Sequence, residues 1–154
     1  MTPAGRQSYM ELALAEARSA ELRGEVPIGA VIVDAGGVVV GRGGNRTREL
    51  CDPTAHAEIV AMRAACAAAK SERLPECDLY VTLEPCPMCA AAISFARVRR
   101  LYFGAADPKG GGVENGARIF NQPTCHHAPE VYGGLAETEA ALLLRAFFSR
   151  KRGA

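Results

Sequence analysis

No apolar run in the 154 residues reaches the roughly 18 that a membrane span requires, so the sequence predicts no transmembrane helix. The first residues also lack a secretory h-region: Glu11, Glu16 and Arg18 interrupt the apolar positions of 10–22, which read as an amphipathic helix. Net charge is nearly absent. At +1 the overall field points neither to nucleic acid nor to a membrane surface, and any nucleic-acid contact has to come from a local patch. Repeats, low-complexity tracts and interdomain linkers are missing too. What is present is ordinary globular material, 49% hydrophobic and 23% charged, in a length that suits one domain, 1–154, with a real core.

Six cysteines, Cys51, Cys66, Cys77, Cys86, Cys89 and Cys125, permit a disulfide framework by parity, but a chain of this length needs no such staples. A protein of a reducing cytoplasm is expected, where cysteines suggest a metal or catalysis.

Helical periodicity runs over 8–23 (Met10, Leu12, Ala13, Ala17, Ala20), and Gly24 stops it. The β-branched runs 26–34 and 38–42, joined by Ala35-Gly36-Gly37, read as an antiparallel hairpin. Further elements are a helix over 55–70, a strand over 78–83, a short helix opened by Pro85 and reaching about 96, a strand over 99–104, a Gly-rich loop near 107–112 and a closing helix over 137–150. The strand–helix–strand unit favours parallel pairing through a right-handed crossover. The expected fold is α/β: a three-layer α/β/α sandwich on a mixed, roughly five-stranded sheet.

Cys86-Pro87-Met88-Cys89 places two sulfurs at i and i+3, on one face of a helix start, where the positive end of the helix dipole favours thiolate. Alone, that pair fits a metal half-site and a redox couple equally. His56-Ala57-Glu58 begins another predicted helix thirty residues earlier. His56 can be a third ligand, while Glu58, pointing differently, can lie beside the metal and carry protons. Taken singly, the His-x-Glu triplet also fits a capping histidine and a carboxylate on a helix dipole. With the cysteine pair it fits a zinc centre that keeps one position for water.

Thr54-Ala55-His56-Ala57-Glu58 and Leu83-Glu84-Pro85-Cys86-Pro87-Met88-Cys89 together carry the H-x-E…P-C-x-x-C pattern of the zinc nucleobase deaminases. The chain resembles this superfamily, that of the cytidine and deoxycytidylate deaminases, and within it the bacterial tRNA-specific adenosine deaminases. That resemblance runs from about residue 25 to 152 and includes Val26-Pro27-Ile28-Gly29-Ala30, Gly44-Asn45-Arg46 and Phe103-Gly104-Ala105. It implies a cytidine-deaminase-like fold and one zinc per chain on His56, Cys86 and Cys89. It also implies Glu58 as proton carrier, hydrolysis of a wobble adenosine to inosine in a tRNA anticodon stem-loop, and a homodimer. Unpaired loop bases can be splayed into such a site without the cost of opening a duplex.

Substrate contacts follow from the same resemblance. Asn45 is expected to pair with the purine edge, although an Asn after Gly-Gly is also a common turn residue. Ala57 matches a backbone contact to the base, and Asp107, Lys109 and His126 match a loop touching flanking nucleotides. Phe148, Arg150 and Arg152 form an aromatic and basic tail suited to stacking and phosphate contact; the same residues fit a packed aromatic pair with cations at a helix end. Cys125-His126-His127 is read as a loop with an RNA-facing imidazole, since adjacent side chains converge poorly on one ion. Three rivals stand beside this reading: a guanine or cytosine deaminase of free bases, a noncatalytic zinc-stabilised RNA-binding module, and a thiol redox protein. Free-cytidine deaminases often carry a cysteine where this chain has His56. A closed structural zinc site has no use for Glu58, and a redox pair leaves His56 and Glu58 without roles.

Overall fold

The computed structural model describes residues 3–153. Helix α1 (Pro3–Leu22) buries Met10, Ala13, Leu14, Ala17 and Ala20, a spacing of three and four that keeps them on one stripe. It starts earlier than the expected residue 8, because residues 3–7 are helical without any apolar period to announce it. Strands β1 (Gly29–Val33) and β2 (Val39–Gly44) form the expected hairpin. Asp34 closes its turn by accepting from the backbone N–H groups of Gly36 and Val38 at 3.0 and 2.9 Å. Residues 26–28 lie outside the strand, which is shorter than its apolar run suggested.

Helix α2 (Ala57–Ala69) lies on β2 and β1. Its approach depends on Gly41, where a Cβ would come within 2.3 Å of the Ala61 carbonyl oxygen. Strand β3 (Asp78–Leu83), helix α3 (Pro87–Ala96) and β4 (Arg100–Ala105) make the parallel crossover. A strand absent from the sequence reading, β5 (Glu130–Tyr132), adds a second parallel pair at the sheet edge. Its register aligns Tyr132 with Tyr102 and Tyr102 with Tyr80, and the stacked rings, 5.1 and 4.5 Å apart between centroids, tie the three strands together. Helix α4 (Glu137–Gly153) closes the chain.

The sheet order is β2-β1-β3-β4-β5, with β1 antiparallel to both β2 and β3. Alternation sends Val31, Val33, Tyr80 and Tyr102 to a core under α1 and α4. Ala30, Ile32, Leu79, Val81, Leu101 and Phe103 go to the opposite core under α2 and α3, with Ala61, Met62 and Ile93. Both faces are thus covered, which is why the inner strands are continuously apolar. This is the expected three-layer α/β/α sandwich on a mixed five-stranded sheet. No helix among the described residues is long and apolar enough to cross a membrane.

Candidate metal centre and active site

The amino ends of α2 and α3 meet on one side of the sheet, where β3 ends and the chain turns into α3. His56 is the N-cap of α2, in extended backbone at φ −71°, ψ 158°, and Ala57 begins the helix. Cys86 caps α3 in the same way, and its sulfur accepts from the Cys89 backbone N–H at 3.5 Å. The expected opening of α3 at Pro85 is therefore corrected by two residues: Pro87 stands in the first turn, where a missing N–H costs nothing, and Cys86 takes the capping position. The correction favours the metal reading, since a cap residue aims its side chain across the helix start and meets the N3 side chain there.

His56 Nδ1 lies 3.6 Å from Cys86 Sγ and 3.5 Å from Cys89 Sγ, and the three ligand atoms all lie within 4.8 Å of one another. Zinc bonds of about 2.0–2.1 Å to nitrogen and 2.3 Å to sulfur give a tetrahedral N···S edge of about 3.6 Å, so the donor set fits zinc in element, number and spacing. Three protein donors leave the fourth position of a tetrahedron for water, as in a catalytic rather than a closed site. No other group of three or more such side chains converges among the described residues.

Cys86 is pulled down to about 4, by its hydrogen bond with Cys89 first, then against burial by that with His56. The same contact and burial push Cys89 far up, and His56 is raised chiefly by Cys86. One thiolate is thus favoured even within this cluster of like groups. Glu58, in the first turn of α2 and only 4% exposed, is pushed up to about 7, mainly by burial. A buried carboxyl that titrates near neutrality beside three metal-type donors is suited to take and return protons.

The other expected residues divide. Ala57 is buried at the head of α2. Asn45 is buried just after β2, and its amide nitrogen donates to Glu25 at 3.4 Å and Thr47 at 3.2 Å. Its donors are spent within the protein, so any contact with a base would fall to its carbonyl oxygen. Asp107 lines a groove of about 330 Å³ with Leu83, Leu144, Arg145 and Phe148, which brings the tail and the Gly-rich loop to one place. Phe147 is packed at 7% exposure while Phe148 stands 43% exposed at that groove, so the aromatic pair divides between core and surface. Lys109 is exposed on the loop.

His126 is exposed but is not brought to the metal site. It lines a cavity of about 220 Å³ with Phe95 and Arg97, at the carboxyl end of α3. That end, at Ala96, lies about 15 Å along the axis from Cys86, at 1.5 Å per residue. The neighbouring imidazole of His127 is paired with the Val98 carbonyl at 2.7 Å, so this cluster fastens a loop. Arg150 pairs with Glu21 of α1 at 2.9 Å, whereas Arg152 is exposed with no ion pair among the described residues.

Two acidic residues not singled out in the sequence organise the surrounding loops. Glu25 accepts from the backbone N–H groups of Arg48 and Glu49 at 3.2 and 2.8 Å. Glu84 does the same for the Gly-rich loop. For Glu84 the available signal was an acid set between an apolar strand and a proline, a position that buries a charge and therefore demands donors; Glu25, between Gly24 and Val26, carries no such signal.

The cytidine and deoxycytidylate deaminase zinc-binding region matches residues 4–105. The chain is also 69% identical over 149 residues, 97% of each protein, to the tRNA-specific adenosine deaminase of Agrobacterium fabrum. It belongs to the tRNA-specific adenosine deaminase family of zinc-binding deaminases. A solved structure from studies of A-to-I editing by tRNA:A34 deaminases at the wobble position of transfer RNA is 70% identical, with a TM-score of 0.87 over 89% of this chain and 99% of that one. The guanine deaminase of Bacillus subtilis is more distant, at 29% identity and a TM-score of 0.66 over 100% of this chain and 96% of that one.

Proposed function

We propose that this chain is a hydrolytic deaminase converting the wobble adenosine of a tRNA anticodon loop to inosine, with residues 1–154 acting as one domain. The observation that carries the chemistry is the pair of 3.5–3.6 Å edges from His56 Nδ1 to Cys86 and Cys89 beside the buried Glu58. Near-full-length identity to a tRNA-specific adenosine deaminase supports the substrate.

His56, Cys86 and Cys89 hold one zinc, which when bound lowers the pKa of a water and so makes a nucleophile available near neutrality. A C–O bond forms at C6 of adenine and the bond to the amino nitrogen breaks. The two protons of the water end on ring N1 and on the departing ammonia, both carried by Glu58. The Asn45 carbonyl oxygen and the backbone of Ala57 orient the base. Phe148 offers a face for stacking a flanking nucleotide, Asp107, Lys109 and His126 contact the loop, and Arg150 and Arg152 face phosphate. The chain works as a cytoplasmic homodimer. Pairing is supported by an apolar groove of about 340 Å³ between α2 and α3, where Phe95, 74% exposed, meets Ile59, Met62 and Ala92.

Likeness to a guanine deaminase favours a second reading, action on a free purine. Ammonia release from an adenosine-containing anticodon stem-loop, compared with free adenine, guanine and cytosine, decides between them. The stem-loop is expected to be turned over and the free bases not. Rapid turnover of guanine with an inert stem-loop would replace the first reading by the second.

A further inference from the structure

The Gly-rich loop after β4 is a built part rather than a solvated connection. The Glu84 carboxylate, 2% exposed, accepts five hydrogen bonds from it. Oε1 takes the Asp107 N–H at 2.9 Å and the Asn115 side-chain amide at 2.7 Å. Oε2 takes the N–H groups of Val113, Glu114 and Asn115 at 3.1, 2.9 and 3.0 Å. Successive N–H groups converging on one oxygen form the kind of concavity that backbone nests offer to anions, here filled by the protein's own side chain. Gly112 N–H donates to the Pro85 carbonyl at 2.8 Å, so the loop is also seated on the residue before the cysteine cap. Gly111 is required by the closeness of this arrangement, because a Cβ there would lie 2.5 Å from Glu84 Oε2.

We infer that Glu84 is a positioning residue that holds the 107–115 loop, with Asp107 and Lys109, against the start of α3 and so sets the enzyme's affinity for its RNA. This rests on the tRNA reading above. The same carboxylate joins two parts of the site: its backbone leads into Cys86 two residues later, while its side chain gathers the loop. An acceptor-only group can take all five donors, two on Oε1 and three shared on Oε2; an amide of the same shape cannot, because one end is itself a donor. Glu84→Gln would turn a donor toward backbone N–H groups and leave them unpaired, freeing the loop without altering the cysteines.

The test uses the full chain with zinc. Glu84→Gln is compared with Gly111→Ala, which displaces the same contact from the loop side, and with Ile93→Val, a core change of modest cost that touches neither. For the stem-loop, KM and Kd are expected to rise about tenfold in the first two variants, the scale of one lost charged contact, while kcat falls by less than about threefold. Tryptic cleavage after Lys109 and Arg118 is expected to be at least about tenfold faster in both than in the wild type as local opening becomes easier. Zinc should stay at one per chain, and Ile93→Val should show neither change. Glu84→Asp, which keeps the charge, should recover part of the affinity. A loss of kcat at unchanged KM, unchanged proteolysis, or Gly111→Ala binding like wild type would overturn the inference. If wild type itself fails on the stem-loop, the function reading fails; the proteolysis still reports whether Glu84 holds the loop.

Discussion

Glu58 and Glu84 are carboxylates of nearly equal burial, 4% and 2% exposed, at the starts of neighbouring helices, and the protein treats them in opposite ways. Around Glu58 burial wins, and its carboxyl is pushed up to about 7. Around Glu84 burial also pushes up, but the hydrogen bonds from Asp107, Asn115 and Glu114 outweigh it and hold the group below the usual carboxylate range. Low solvent exposure alone therefore does not tell a chemical group from an architectural one. The balance of donors against burial does: a carboxylate wrapped in five donors stays charged and fixes a loop, while one whose burial outweighs its few donors is left able to exchange a proton.

The comparison is broken most completely by removing what gives Glu58 its task. Cys86→Ala should lose zinc, measured as metal per chain by elemental analysis, and with it all measurable turnover, since two donors no longer define a tetrahedral site. Full zinc retention in that variant would contradict the ligand assignment. Glu58→Gln comes next. It should keep zinc and stem-loop affinity but lose about 10²- to 10⁴-fold in kcat, the usual weight of a proton carrier. A variant within a few-fold of the wild-type rate would move Glu58 to the architectural side of the comparison.

Much of this was legible in the residues. Period-two and helical patterns revealed the hairpin, the parallel crossover and both covered faces. The three metal-type donors stood out because each occupies a helix start that needs no tertiary information to recognise. What stayed hidden depended on long-range partners. Strand β5 has three residues, and its pairing with β4 and the stacking of Tyr132 on Tyr102 are long-range contacts that no local window contains. The residues Pro85 and Pro87 both suit a first helical turn, and only packing chose the second. Glu84 was seen as part of a motif and not as a hub, because its five donors lie 23–31 residues away.

Asp78 sharpens the rule with a third buried carboxylate, 1% exposed and gripped by Arg99 through two contacts of 3.0 Å. By its committed partners it belongs with Glu84. Asp78→Ala should cost about 1–3 kcal/mol, below the 3–5 typical of a fully buried pair because Arg99 is partly exposed, and the lost charge leaves that guanidinium unpaired. Thermal unfolding should shift down by about 2–10 °C at this chain length. kcat and KM per folded molecule should stay as in the wild type. A selective loss of stem-loop binding would show that architectural carboxylates are not interchangeable, and that only those touching the 107–115 loop govern substrate.

The smallest effect tests whether the same logic holds for cations. Arg150 and Arg152 lie in the last turn of α4 and were expected to act alike on phosphate. The structure separates them, since Arg150 already pairs with Glu21 at 2.9 Å and Arg152 has no ion pair among the described residues. A guanidinium spent on a carboxylate has less to offer a phosphate, and breaking that surface pair costs only about 0.2–1 kcal/mol. Each phosphate contact to a single strand contributes about 0.7 to the slope of log affinity against log salt. Stem-loop binding measured across a salt series should therefore show Arg152→Ala flattening the slope by about 0.7 and Arg150→Ala by clearly less. Glu21→Ala, which releases Arg150, should leave the slope no shallower than the wild type and strengthen binding at low salt if the freed cation reaches the RNA. Equal slopes for the two arginine variants would mean that the ion pair yields to phosphate. Prior commitment would then govern the buried carboxylates of this protein but not its surface charges.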